Sequence, residues 1–115
     1  MIKDKSKYWI GVDFDRTLST WGKYDDDLSE VGEPILPMLN RVKRWLKEGK
    51  IVKIFTARAS HGKPQTVLIQ DWCEKHGLGR LEVTNVKCPN CRAIWDDKAV
   101  RVKENTGEID NNFQE

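Results

Sequence analysis

Tyr8-Trp9-Ile10-Gly11-Val12-Asp13-Phe14-Asp15-Arg16-Thr17-Leu18 is an apolar, β-rich run that ends abruptly in acids. Such a run predicts a buried strand over 8–14, with chemistry at its end. Asp13 and Asp15 are two residues apart, so a regular strand turns both carboxylates to one face and sends Phe14 into packing on the other. One short stretch thus offers two acids to one ligand.

Outward from this strand the chain alternates. Residues 16–33 hold Gly22, Gly32 and Asp25-Asp26-Asp27 without a sustained period, which predicts an irregular loop or short hairpin. From Pro34, the positions Ile35, Leu39, Val42 and Leu46 recur at helical spacing, Met38 and Trp45 lie beside them, and Gly49 is a stop. Ile51-Val52-Lys53-Ile54-Phe55 reads as a second strand ending at Thr56-Ala57-Arg58. A second helix is expected from Pro64, with Leu68, Ile69, Trp72, Cys73 and His76 inward and Gly77 and Gly79 closing it. Short strands are expected over 81–86, 93–95 and 100–102. The fold class is therefore α/β, a Rossmann-like three-layer sandwich around a mostly parallel sheet, with ligands beyond the carboxyl ends of the strands.

The 115 residues suit one domain over 1–102 with a polar tail over 103–115, which Ile109 and Phe113 could anchor. A chain of this length buries roughly two-thirds of its unfolded surface, which leaves little mass for a lid. With 38% hydrophobic and 33% charged residues it falls among globular domains, outside the disordered and membrane classes. A net charge of +2 does not by itself name nucleic acid as a partner. No membrane span or secretory core stands near the start, and three cysteines make no disulfide framework, so a cytoplasmic setting is expected.

Three expected strands end in polar groups: Asp13 and Asp15, then Thr56, then Asp96-Asp97. Carboxylates gathered at one sheet edge repel one another and resist desolvation, so their coexistence calls for a cation or for raised pKa values. An all-oxygen set favours magnesium.

Asp13-Phe14-Asp15-Arg16-Thr17-Leu18 resembles the first motif, D-x-D-x-T-L, of the haloacid dehalogenase-like (HAD) phosphohydrolases. Phe55-Thr56-Ala57-Arg58 is similar to the second motif, Lys87 is placed for the third-motif lysine, and Trp95-Asp96-Asp97 resembles the fourth. The resemblance covers roughly 8–102 and is nearest to the small members of bacterial and phage genomes. It implies a magnesium-dependent phosphomonoester hydrolase. Asp13 would be the nucleophile that forms an aspartyl-phosphate and would also hold the metal. Asp15 would protonate the leaving alcohol, then activate water, and would bind magnesium through its backbone carbonyl. Asp97 is the direct metal ligand expected of the acidic pair, with Asp96 behind it because that position is often glycine in the family. Thr56 and Lys87 would hold phosphoryl oxygens. Ala57 and Arg58 share that turn, Arg58 either contacting substrate or tying the loop down. Arg16 stands where glycine is frequent.

The spacing between motifs leaves no room for a cap domain, so the site would be open, with 21–33 as a flap and a second copy of the chain available to cover it. Nucleotide or nucleic-acid-end phosphates are the favoured substrates, supported by the basic residues Arg41, Lys43, Arg44, Lys47, Lys50 and Lys53. A small-metabolite phosphatase acting on sugar phosphates and a non-catalytic HAD-like binding module are the alternatives. Asp25-Asp26-Asp27 reads as a solvated charge run, and Trp21 as a flap or base-stacking residue. Cys88-Pro89-Asn90-Cys91 lacks a second ligand pair and reads as a plain loop bordering the site, with metal pairing or reversible oxidation as the other readings.

Overall fold

The computed structural model describes residues 5–20 and 28–111. Strand β1 (Trp9–Val12) is buried along its whole length. Its even residues, Ile10 and Val12, enter one core with Val52 and Ile54 of β2 (Ile51–Phe55). Helix α1 (Leu36–Lys47) follows the expected spacing, burying Met38, Leu39, Val42 and Trp45. Pro37 lies in its first turn, where a missing N–H costs nothing. Gly49, at φ +86°, takes the left-handed conformation that ends it. Helix α2 (Lys63–Lys75) buries Ile69, Trp72 and Cys73 against the same core.

Strands β3 (Val83–Thr84) and β4 (Cys91–Trp95) complete a four-stranded sheet in the order β3-β2-β1-β4, every pair parallel. The fold is α/β, as expected. Both connections from β1 to β2 and from β2 to β3 step the same way, so right-handed crossovers bring α1 and α2 to one face. The other face carries Trp9, Gly11, Phe55 and Ile94. There the chain returns from β3 to β4, at opposite sheet edges, through residues 85–90. A complete three-layer sandwich would cover this face with a helix, and none of the described residues forms one.

The β1–β4 ladder contains one irregularity. Trp9 faces Cys91 but Ile10 faces Ala93, so Arg92 is an extra residue, and beyond it Val12 faces Trp95. Past β4, Val102 and Ile109 bridge antiparallel, so much of the expected tail folds back on itself, although Ile109 stays exposed. Phe113 lies outside the described residues. No helix among the described residues is long and apolar enough to cross a membrane.

Candidate metal centre at the sheet switch point

Strand order reverses between β1 and β4, and in open parallel sheets the crevice at that point is where ligands bind. Asp13 follows β1 directly, and its N–H donates to the Trp95 carbonyl (2.9 Å), which stitches the two strand ends together. Asp96 and Asp97 follow β4. The three side chains each bring a carboxylate oxygen within 4.8 Å of the others. Thr17 braces the group, its hydroxyl lying 3.3 Å from Asp13 Oδ2 and 3.4 Å from Asp97 Oδ1. Asp96 Oδ1 accepts the Lys98 N–H at 2.8 Å, which fixes the turn after the pair.

This crowding has an electrostatic signature. Burial, a hydrogen bond with Asp97 and the charge of Asp96 push the Asp13 pKa up to about 7. For Asp97, desolvation works upward, but hydrogen bonds with Asp13, its own backbone, Asp96 and Thr17 outweigh it and hold its pKa low. Of the pair, Asp13 is the member driven up and Asp97 the one held down. Three carboxylate oxygens gathered in this way could hold a hard cation.

Asp15 is not part of this group. Its carboxylate is clamped by Arg58, Nε to Oδ2 at 2.8 Å and Nη2 to Oδ1 at 2.9 Å. Arg58 is only 4% exposed and also donates to the Leu28 and Glu30 carbonyls and to Gln65 Oε1. Of the two roles open to Arg58, the described structure has it tying the loop down. Phe14, fully buried, packs edge-on against Trp72 beneath it.

The turn 14–19 that carries these acids is tight, with the Leu18 and Ser19 N–H groups both donating to the Phe14 carbonyl. Arg16 has φ +70°, the left-handed region that glycine enters more readily than a residue with a Cβ. Residues 18–20 then pair with 33–35, through the Thr20 N–H to Glu33 O and the Ile35 N–H to Leu18 O, so an isolated antiparallel bridge at Ser19 and Pro34 holds the ends of the segment expected as an irregular loop or short hairpin. Trp21 and Asp25-Asp26-Asp27 lie outside the described residues.

Asp13, Asp15, Asp96 and Asp97 share a cavity of roughly 550 Å³ with Arg16, Thr56, Ala57, Ser60, Asn85 and Lys98. Thr56 is buried, and its hydroxyl oxygen accepts the Arg58 N–H at 3.1 Å. Lys87 lines a different cavity, with Cys91, Arg92, Trp95 and Asp96. Ser60, Asn85 and Lys98 are additional polar groups at the site. A lysine directly after an acidic pair was the available signal for Lys98; nothing local marks Asn85. The basic set of the first helix region is partly engaged, Arg44 and Lys50 with Glu48, and Lys53 with Glu82. Compared with models of known families, with characterised proteins and with solved structures, the chain matches none.

Proposed function

We propose that the chain is a magnesium-dependent phosphomonoester hydrolase that works through Asp13. One observation carries the reading: three carboxylates converge within 4.8 Å at the switch point of a parallel sheet. A cluster that raises the pKa of its own most buried member gains from a bound cation, and the motif order resembling HAD phosphohydrolases names the reaction. Magnesium, held by Asp13, Asp97 and Asp96, would neutralise charge so that an anionic carboxylate can meet an anionic phosphate.

A free Asp13 oxygen attacks phosphorus, the ester oxygen leaves with a proton delivered by Asp15, and an aspartyl-phosphate remains. Water then attacks that phosphorus, giving its proton to Asp15, and Asp13 is released. For Asp15 to carry a proton its clamp must loosen, so Arg58 passes at least one N–H to a phosphoryl oxygen as substrate enters. Thr56, the Ala57 backbone, Asn85 and Lys98 line the space for that phosphate. Its size suits a mononucleotide or a nucleic-acid end rather than inorganic phosphate alone.

A second reading, a metal-binding module without turnover, is favoured by the Asp15–Arg58 clamp and by Lys87 lining another cavity. Hydrolysis of an aryl phosphate with and without magnesium, repeated with Asp13→Asn, separates the two. Metal-dependent turnover abolished by Asp13→Asn supports the hydrolase. Metal binding with no turnover on aryl phosphate, nucleotides or phosphorylated oligonucleotides supports the module.

A further inference from the structure

Cys88 and Cys91 flank the amino end of β4, one strand length from the acids that follow its carboxyl end, and Cys91 lines a cavity that Asp96 also reaches. They are the first and last residues of a β-turn, closed by the Cys91 N–H on the Cys88 carbonyl at 2.9 Å. Such a turn holds its end Cα atoms within about 7 Å, which overlaps the span a disulfide bridges. The turn is anchored to β1, since the Trp9 N–H donates to the Asn90 carbonyl at 3.0 Å.

The two sulfurs have different surroundings. Cys88 Sγ accepts the indole N–H of buried Trp9 at 3.2 Å. Backbone N–H groups of Asn90 and Cys91 also face it, and Lys53, stacked 4.7 Å over the Trp9 ring, adds positive charge. Hydrogen bonding from Trp9, then from the Asn90 backbone, lowers the Cys88 pKa against a smaller desolvation effect. Cys91 is more enclosed, and burial raises its pKa. This asymmetry is what a dithiol needs: an accessible sulfur that ionises and attacks, and a protected one that resolves.

Two further observations bear on the turn. Asn90 Oδ1, between the cysteines, is a buried oxygen without a hydrogen-bond partner, so movement of that side chain forfeits no bond at this atom. Among the described residues the one group of three or more metal-type ligands is the acidic one, and it does not include the thiols.

We propose that Cys88 and Cys91 form a redox-active dithiol that exchanges with small-molecule disulfides of the glutathione type. The Cys88 thiolate attacks one sulfur of the disulfide, forming a mixed disulfide and releasing one thiolate, which takes up a proton. Cys91 gives its proton to solvent, and its sulfur attacks Cys88 Sγ, breaking the mixed disulfide and releasing the second thiol. The protein is oxidised by two electrons and the small disulfide is reduced to two thiols.

Exposure of the full chain to glutathione buffers of graded oxidation, read by intact mass and thiol count, tests this. The wild-type chain should lose two hydrogens and two of its three thiols without retaining an adduct. Cys73 should survive, because it is fully buried and burial pushes its pKa up to about 12. Cys91→Ser should trap a stable glutathione adduct on Cys88, and Cys88→Ser should react at least tenfold more slowly. Lys53→Gln, at a partly exposed position, should slow the attack several-fold and move its pH profile upward. Retention of both thiols in the most oxidising buffer would overturn the proposal. So would equal rates for the two serine variants, or one zinc ion per two chains blocking the reaction.

Discussion

The guanidinium of Arg58 grips both carboxylate oxygens of Asp15, at 2.8 Å and 2.9 Å, from a position only 4% exposed. The same group reaches the Leu28 and Glu30 carbonyls, so one side chain ties the acid-bearing turn to the arm that returns toward α1. Removing it takes its N–H groups from the Asp15 carboxylate and the Glu30 carbonyl, while the Leu28 carbonyl keeps Gln65 Nε2 at 2.8 Å. Arg58→Ala should destabilise the fold by about 3 kcal/mol, and Arg58→Lys, which lacks the planar fork, by about 2 kcal/mol. Urea unfolding gives the magnitude, and limited proteolysis near 28–30 should accelerate in both variants. A loss under about 0.5 kcal/mol would show that the clamp is an exposed-type pair of little weight.

Asp13 makes stability depend on pH in a fixed direction. Its folded pKa, about 7, lies above the unfolded value of 3.8, so the folded state binds more protons between these values. Its contribution is fully present below 3.8 and is lost as pH rises through about 7. Asp13→Asn keeps the shape without the charge. Discounted for partial exposure, it should be more stable than wild type by about 1–2 kcal/mol near pH 8, with little gain near pH 4. Urea midpoints at the two pH values decide the matter, and a gain that is larger in acid would reverse the sign argued here.

Magnesium should act on the same group in the opposite sense. At a concentration of about 100 times its dissociation constant, a ligand of the native state adds about 2.7 kcal/mol. The thermal midpoint of wild type near pH 8 should therefore climb with added magnesium, while Asp13→Asn and Asp97→Asn should stay flat. Equal shifts in all three proteins would mean that the ion binds elsewhere.

Gly32 gives a packing test that is independent of chemistry. A Cβ there would strike the Thr20 carbonyl and hydroxyl, and the residue cannot slide away freely. Its N–H donates to Ser19 Oγ at 3.0 Å and its carbonyl accepts from Trp72 Nε1 at 2.8 Å. Gly32→Ala should cost about 3 kcal/mol through this collision. Gly49→Ala meets no neighbour and should cost about 1 kcal/mol, from its backbone conformation alone. Denaturation midpoints that rank the two variants the other way would contradict the packing described.

The sheet and both helices were legible because each element has a local cause. The apolar run at 9–12 is buried throughout, the β-branched run at 51–55 buries alternate residues, and the apolar positions of 36–47 and 63–75 repeat at helical spacing. Three of the acids were legible as a cluster because Asp13 and Asp96 immediately follow strands and Asp97 adjoins Asp96. What local pattern could not supply was the partner of a long side chain. Whether Arg58 reaches out to a ligand or back to Asp15, 43 residues earlier, depends on the packing of Phe14 and Gln65 around it. Lys87 stands where the motif order of the resemblance expects a lysine. Its location depends instead on the return path through 85–90, which has no helix to fix it.

The extra residue at Arg92 has a mechanical consequence. The start of β4 is fastened to β1 by the Asn90–Trp9 hydrogen bond, and its end by Asp13 on Trp95. These two fastenings are one residue farther apart on β4 than on β1. The bulge takes up the slack, acting as a vernier between the cysteine turn and the acids. A strand without it would have to slip by one residue at one end, about 3.3 Å, and present its opposite face there. The spacing of the carboxylates is thus calibrated at the far end of the strand that carries two of them.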